Sequence, residues 1–195
     1  MKIYSSSQPH DPGRLPLTAV DTDWFGAAVS PPVHFSFGLD PASLHFVASR
    51  QRMALCHPAS LPGRFQAELW KFDVAEFFLT DPVTGHYLEF NLAPNGGWWS
   101  CRFKAPLARV SEIDQPLPGI AIHAHAGASG WMASASLPLP WLQEHLHFGP
   151  DSRLNATFIL ESPAQRFLTA SSLGGGEPAF HRPDSFPTVS IVTRS

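Results

Sequence analysis

The sequence predicts an all-β protein, an antiparallel two-sheet β-sandwich with one short helix. Three observations predict it. Apolar and polar residues alternate with a period of two along most of the chain. Turn-forming clusters of Pro, Gly, Asp and Asn recur at roughly 8–12-residue intervals. The composition favours strands and turns: 20 Pro and 14 Gly stand beside 15 Phe and 6 Trp, and only 15% of residues are charged. At 195 residues the chain can bury a core unaided, so one domain over 1–195 is expected, with 1–14 as a loose N-terminal arm.

The elements follow in order. Residues 33–39 put Val33, Phe35, Phe37 and Leu39 on one side and His34, Ser36 and Gly38 on the other. After the turn Asp40-Pro41-Ala42-Ser43, residues 44–48 return as the second arm of a hairpin. Residues 69–79 form the next strand. The turn Asp81-Pro82-Val83-Thr84-Gly85 leads into 86–93, where Leu88, Phe90 and Leu92 oppose Tyr87, Glu89 and Asn91. Pro94-Asn95-Gly96-Gly97 then reverses the chain into a strand over 98–103, completing a meander. Residues 119–126 and 131–137 form another hairpin around Gly127-Ala128-Ser129-Gly130. Residues 140–146 have helical spacing, with Pro140 suited to a first turn. Residues 153–161 and 188–193 return to strand. About eight to ten strands with one helix indicate a jelly-roll or immunoglobulin-like sandwich. The loop 171–187 carries Gly174-Gly175-Gly176, and Phe180 and Phe186 are expected to anchor it, with Arg182 pairing an acid.

Charge excludes some partners. A net charge of −3 and a pI near 6.3 give no electrostatic reason to bind nucleic acid or an anionic membrane. No stretch approaches the ~20 apolar residues that span a bilayer. No apolar run follows Lys2 as in a signal peptide, so a cytoplasmic location is expected. There Cys56 and Cys101 are expected to stay reduced.

The central hairpin holds the candidate site. A loop over 80–85 pairs Phe77 with Leu88 and sets Glu76 opposite Glu89 and Val74 opposite Asn91. Opposed carboxylates repel unless a cation such as Arg102 or Lys104, a bound calcium or a shared proton compensates. Glu76, Glu89 and Asn91 then form either a solvated, Arg-paired face or the acceptor set of a ligand-facing sheet. A retaining glycosidase pair is disfavoured, because directly opposed carboxyls converge too closely. Trp98 and Trp99 point to opposite faces, so one is core and the other is a candidate stacking platform. Trp70 lies across the same hairpin. His123 and His125 share a strand face and are candidate metal ligands, although a zinc site needs a third. Haem is disfavoured: it needs an axial pair such as Met53 or Met132 with a histidine, and no C-x-x-C-H is present. No G-x-S-x-G elbow or phosphate loop occurs, so no enzyme is expected.

The run Trp70-Lys71-Phe72-Asp73-Val74-Ala75-Glu76 resembles a strand of the family 9 carbohydrate-binding modules and, more broadly, of DOMON-like sandwiches. Tyr87-Leu88-Glu89-Phe90, Pro94-Asn95-Gly96, Gly130-Trp131 and Leu154-Asn155 follow in a similar order. The closing Pro178-Ala179-Phe180-His181-Arg182-Pro183 with Phe186 is similar to the end of one bacterial subgroup. The resemblance covers residues 30–193. It implies a sandwich whose ligand site lies on one sheet, where such modules hold a sugar between aromatic rings, often beside a structural calcium. Other DOMON-like members hold haem. The expected function is therefore non-catalytic saccharide binding through Trp70, Trp98 or Trp99, Glu76, Glu89, Asn91 and Arg102. Its alternatives are a stand-alone protein-interaction or structural domain without a small ligand, and a haem- or metal-binding module.

Overall fold

Period-two alternation buries one face of each of two sheets against the other. The computed structural model describes residues 1–193; positions 194 and 195 of the expected domain lie outside the described residues. Its strands are β1 (Lys2–Ser5), β2 (Thr18–Thr22), β3 (Ala28–Leu39), β4 (Ser43–Arg50), β5 (Val74–Thr80), β6 (Tyr87–Leu92) and β7 (Trp98–Ala105). They continue as β8 (Ala108–Arg109), β9 (Ala121–Gly127), β10 (Gly130–Pro138), β11 (Leu154–Leu160), β12 (Arg166–Thr169) and β13 (Ser190–Thr193). The single α-helix among the described residues, α1, spans Leu139–Leu146. One sheet runs β13-β1-β3-β4-β10-β9, with β2 also paired to β3, and the other runs β12-β11-β5-β6-β7-β8.

Aromatic rings from both sheets fill the space between them. Phe37 and Phe46 stack at 5.0 Å, Phe77 and Phe90 stack at 5.2 Å, and Phe46 meets Phe77 edge-on at 5.2 Å. All four are fully buried. Proline in its first turn starts α1, and its buried Leu142 and Leu146 lie one turn apart against β10 and β4. The turn before β10 needs Gly130: its φ is 150°, and an added Cβ would meet Arg50 O at 2.5 Å. Among the described residues, no helix is long and apolar enough to cross a membrane.

Three expectations need correction. Residues 1–14 are not a loose arm: β1 lies parallel between β13 and β3, and Ile3 is fully buried. These parallel pairings make the first sheet mixed, and no local turn announces them. Residues 69–79 are not one strand either, since Leu69–Lys71 make a 3₁₀ turn before β5 begins at Val74. Nor does Arg182 pair an acid. Its Nη1 donates to Leu173 O at 2.7 Å and Gly175 O at 3.1 Å, so it braces the glycine loop from within, and its guanidinium lies over Trp24.

One feature of this fold positions the site. Strands β5, β6 and β11 are buried on both faces. On the outer face a second apolar cluster forms, in which Leu69 and the loop residues Leu173, Phe180 and Phe186 cover Val74, Phe78, Tyr87 and Trp99. A face expected to meet solvent is thus roofed over.

Candidate functional site

Register decides which side chains meet. The β5–β6 hairpin pairs Phe77 with Phe90 and Thr80 with Tyr87, so Glu76 faces Asn91 and Glu89 faces Phe78. This is two residues away from the predicted pairing. Asp81 is the cause: its carboxylate accepts from Val83 N at 2.8 Å and from Thr84 Oγ1 at 2.7 Å, and its backbone N–H donates to His86 O at 2.8 Å. This side-chain-organised turn lets strand pairing reach Thr80. A two-residue slip leaves every side chain on its own face, which is why hydrophobic pattern alone did not distinguish the registers.

The outcome is two cross-strand rows on the roofed face. Thr157, Glu76, Asn91 and Trp99 form one, and Asn155, Phe78, Glu89 and Cys101 the next. Glu76 and Glu89 are diagonal neighbours. Glu76 Oε2 accepts from Thr157 Oγ1 at 2.9 Å, and Glu89 Oε1 accepts from Asn91 Nδ2 at 3.1 Å. Asn91 is fully buried, and its Oδ1 has no hydrogen-bond partner.

Above these rows lies a cavity of about 660 Å³. Its floor includes Glu76, Glu89 and Phe78; Trp70 and Trp99 form one wall, with Phe103 and the loop residues Phe180 and His181 opposite. Trp70 and Trp99 meet edge-on at 5.3 Å. The Trp99 indole donates to Asp114 Oδ2 at 2.9 Å, while Asp114 Oδ1 accepts from Arg109 Nη1 at 2.9 Å. His181 Nδ1 lies 2.8 Å from the Tyr87 hydroxyl, and its Nε2 lies 3.5 Å from Glu89 Oε2.

Burial controls the charge here. It raises Glu89 to about 7, although the Asn91 hydrogen bond and the Arg109 charge pull the other way. Burial and the neighbouring Glu89 hold Glu76 well above the ordinary carboxylate range. Desolvation lowers His181 to about 4, leaving the ring neutral. Cys101, opposite Glu89, is pushed up to about 11 by burial. It and Cys56 are free thiols.

Of the predicted residues, Trp70, Glu76, Glu89 and Trp99 converge on this cavity, and Asn91 lies in its floor row. Two others do not. Trp98 is a core residue, stacked on Phe90 at 5.8 Å between the sheets. Arg102 lies opposite Leu88, on the other face of β7, and lines a separate, smaller cleft with Trp141 and His145. Arg109 takes the place foreseen for it. The signal for His181 was present in the run Pro178-Ala179-Phe180-His181-Arg182-Pro183. Arg109 had none, because β8 is only two residues long.

Metal and haem fit poorly. Among the described residues no three His, Cys, Asp or Glu side chains cluster to hold an ion. His123 and His125 are exposed on β9, beside Met132 and Ser134 on β10. Met53 and Met132 are both exposed and lie outside the main cavity, so neither supplies a buried axial ligand. The lining offers two carboxyls, Glu76 and Glu89, beside Arg109, His181 and Arg182, fewer side-chain oxygens than calcium takes.

No family model matches the chain. It is 27% identical over 143 residues to the UPF0462 protein C4orf33 homolog of Mus musculus, an alignment covering 70% of each. Among solved structures, a protein described as a candidate carbohydrate-binding protein from Bacteroides uniformis superposes with a TM-score of 0.66 at 16% identity, covering 98% of both chains. A family 9 carbohydrate-binding module from Caldicellulosiruptor kristjanssonii, in complex with glucose, gives 0.63 at 13% identity, over 100% of this chain and 97% of that one. The fold is that of a family 9 module. The same module in complex with cellotriose also gives 0.63, over 95% of its length.

Proposed function

We propose that the chain is a non-catalytic binding module that takes a saccharide in the cavity above Glu76 and Glu89. One observation carries this reading. Aromatic walls from Trp70 and Trp99 stand beside the lining carboxyls of Glu76 and Glu89. A sugar ring supplies what this arrangement lacks: a C–H face to pack on indole, and hydroxyls that donate to Glu76 and Glu89. The fold supports it, since modules of the same fold hold glucose and cellotriose. The carboxyls also suit binding better than bond cleavage, because each is already engaged by a protein donor, Thr157 or Asn91.

Calorimetric titration with glucose, cellobiose and cellotriose tests the reading. Saturable binding is expected, and Trp70→Ala or Glu76→Gln should weaken it by roughly tenfold or more. Absence of binding to every sugar by the folded protein would refute it.

A further inference from the structure

We infer that the saccharide this cavity selects carries a protonated amine, as a hexosamine does. This rests on the saccharide reading and names the ligand class within it. The unused groups of the floor are all acceptors. Glu76 receives one protein donor, Thr157, and Glu89 receives the Asn91 amide. Two carboxyls thus lie buried on diagonal positions of one sheet face, both at most 6% exposed, without a cation committed to either.

The groups facing Glu89 bear this out. Glu76 comes from β5, the Cys101 thiol from β7 and neutral His181 from the covering loop. Arg109 reaches the cavity from β8, but its ion pair is with Asp114 at 2.9 Å. Arg182 spends its guanidinium on loop carbonyls. Tyr87 is occupied with His181. A neutral sugar leaves the two carboxyls to hold protons or repel each other. An ammonium brings three donors and one positive charge, which answers the lining carboxyls of Glu76 and Glu89 together. The indole of Trp70 borders the same volume and favours a cation near its face, whereas Trp99 already carries the Arg109 guanidinium at 5.4 Å from its ring centre.

The test is calorimetry on the full chain with glucosamine, glucose and N-acetylglucosamine at about pH 7 and about pH 5. Glucosamine should bind roughly tenfold or more tighter than glucose at the higher pH, with N-acetylglucosamine no better than glucose. The advantage should shrink at the lower pH, where the carboxyl pair is protonated. Glu89→Gln and, separately, Glu76→Gln should bring the glucosamine-to-glucose affinity ratio toward one, with circular dichroism confirming that each variant folds. Equal binding of all three sugars at about pH 7 would overturn the amine preference and leave saccharide binding standing. Failure of every sugar to bind would overturn both. Methylammonium binding as tightly as glucosamine would also overturn the inference, because the sugar ring would then contribute nothing.

Discussion

Glu89 holds a carboxyl where water scarcely reaches, and that has a cost that depends on pH. Its folded-state value, raised to about 7 by burial, lies above the ordinary carboxylate range. The protonated form therefore favours the fold. That contribution is complete below about pH 4 and is lost as pH rises through about 7. His181 has the opposite sign: its value is depressed to about 4, so its contribution is present above about pH 6.5 and lost as pH falls through about 4. The wild-type profile mixes both, and a difference isolates one. Glu89→Gln should gain thermal stability relative to wild type as pH rises from about 4.5 to about 8, by at least a few degrees at the upper end. Parallel melting curves across that range would contradict this.

Asp40 is the contrasting carboxylate. Burial alone would raise it, but N–H donors from His10, Ala42 and Ser43 and the His45 ring bring it down to about 2. Its stabilising contribution is present above about pH 4 and is lost as pH falls through about 2. It shapes the turn between β3 and β4, far from the cavity. Asp40→Ala should cost about 2–4 kcal/mol in denaturant unfolding at neutral pH, through buried backbone donors left unpaired. A loss under about 0.5 kcal/mol would show the turn to be held by other means.

At the scale of elements, the loop over 171–187 determines whether there is a cavity at all. It has little regular structure, and Arg182 ties Leu173, Gly175 and Glu177 carbonyls together. Arg182→Ala should speed amide exchange over residues 173–182 by roughly tenfold while leaving β5 and β6 protected. Unchanged exchange there would mean that Phe180 and Phe186 alone hold the loop. β1 makes a second case. Ile3→Ala should cost about 2–4 kcal/mol, since its fully buried side chain closes the core between β13 and β3. Elements joined by tight turns were legible in the sequence: the β3–β4, β5–β6 and β9–β10 hairpins all have alternation on both arms and turn residues between. β1 was not, because four residues pairing in parallel with distant strands leave no local trace. The β5–β6 register was legible only modulo two.

For the whole molecule, the sandwich followed from alternation, and the polar floor of the site followed from it as well: Glu76, Glu89 and Asn91 share a face in either register. The roof did not. Nothing in the period of 171–187 says that it folds back over the second sheet, so that face read as solvent-facing and the tryptophan platform as exposed. Trp98 and Trp99 were rightly split between faces, yet both are buried, one between the sheets and one beneath the roof. Arg109 reaches the cavity only because a two-residue strand turns back along β7.

The proposed saccharide enters under this roof, against Trp70 and Trp99. Indole N–H resonances followed by two-dimensional NMR during a glucose titration test it most directly. Trp99, bonded to Asp114, and its neighbour Trp70 should shift saturably, while Trp98, whose indole faces Gly63 O in the core, stays fixed. Resonances of Trp70 and Trp99 that remain still at saturating sugar, or movement confined to other tryptophans, would contradict it.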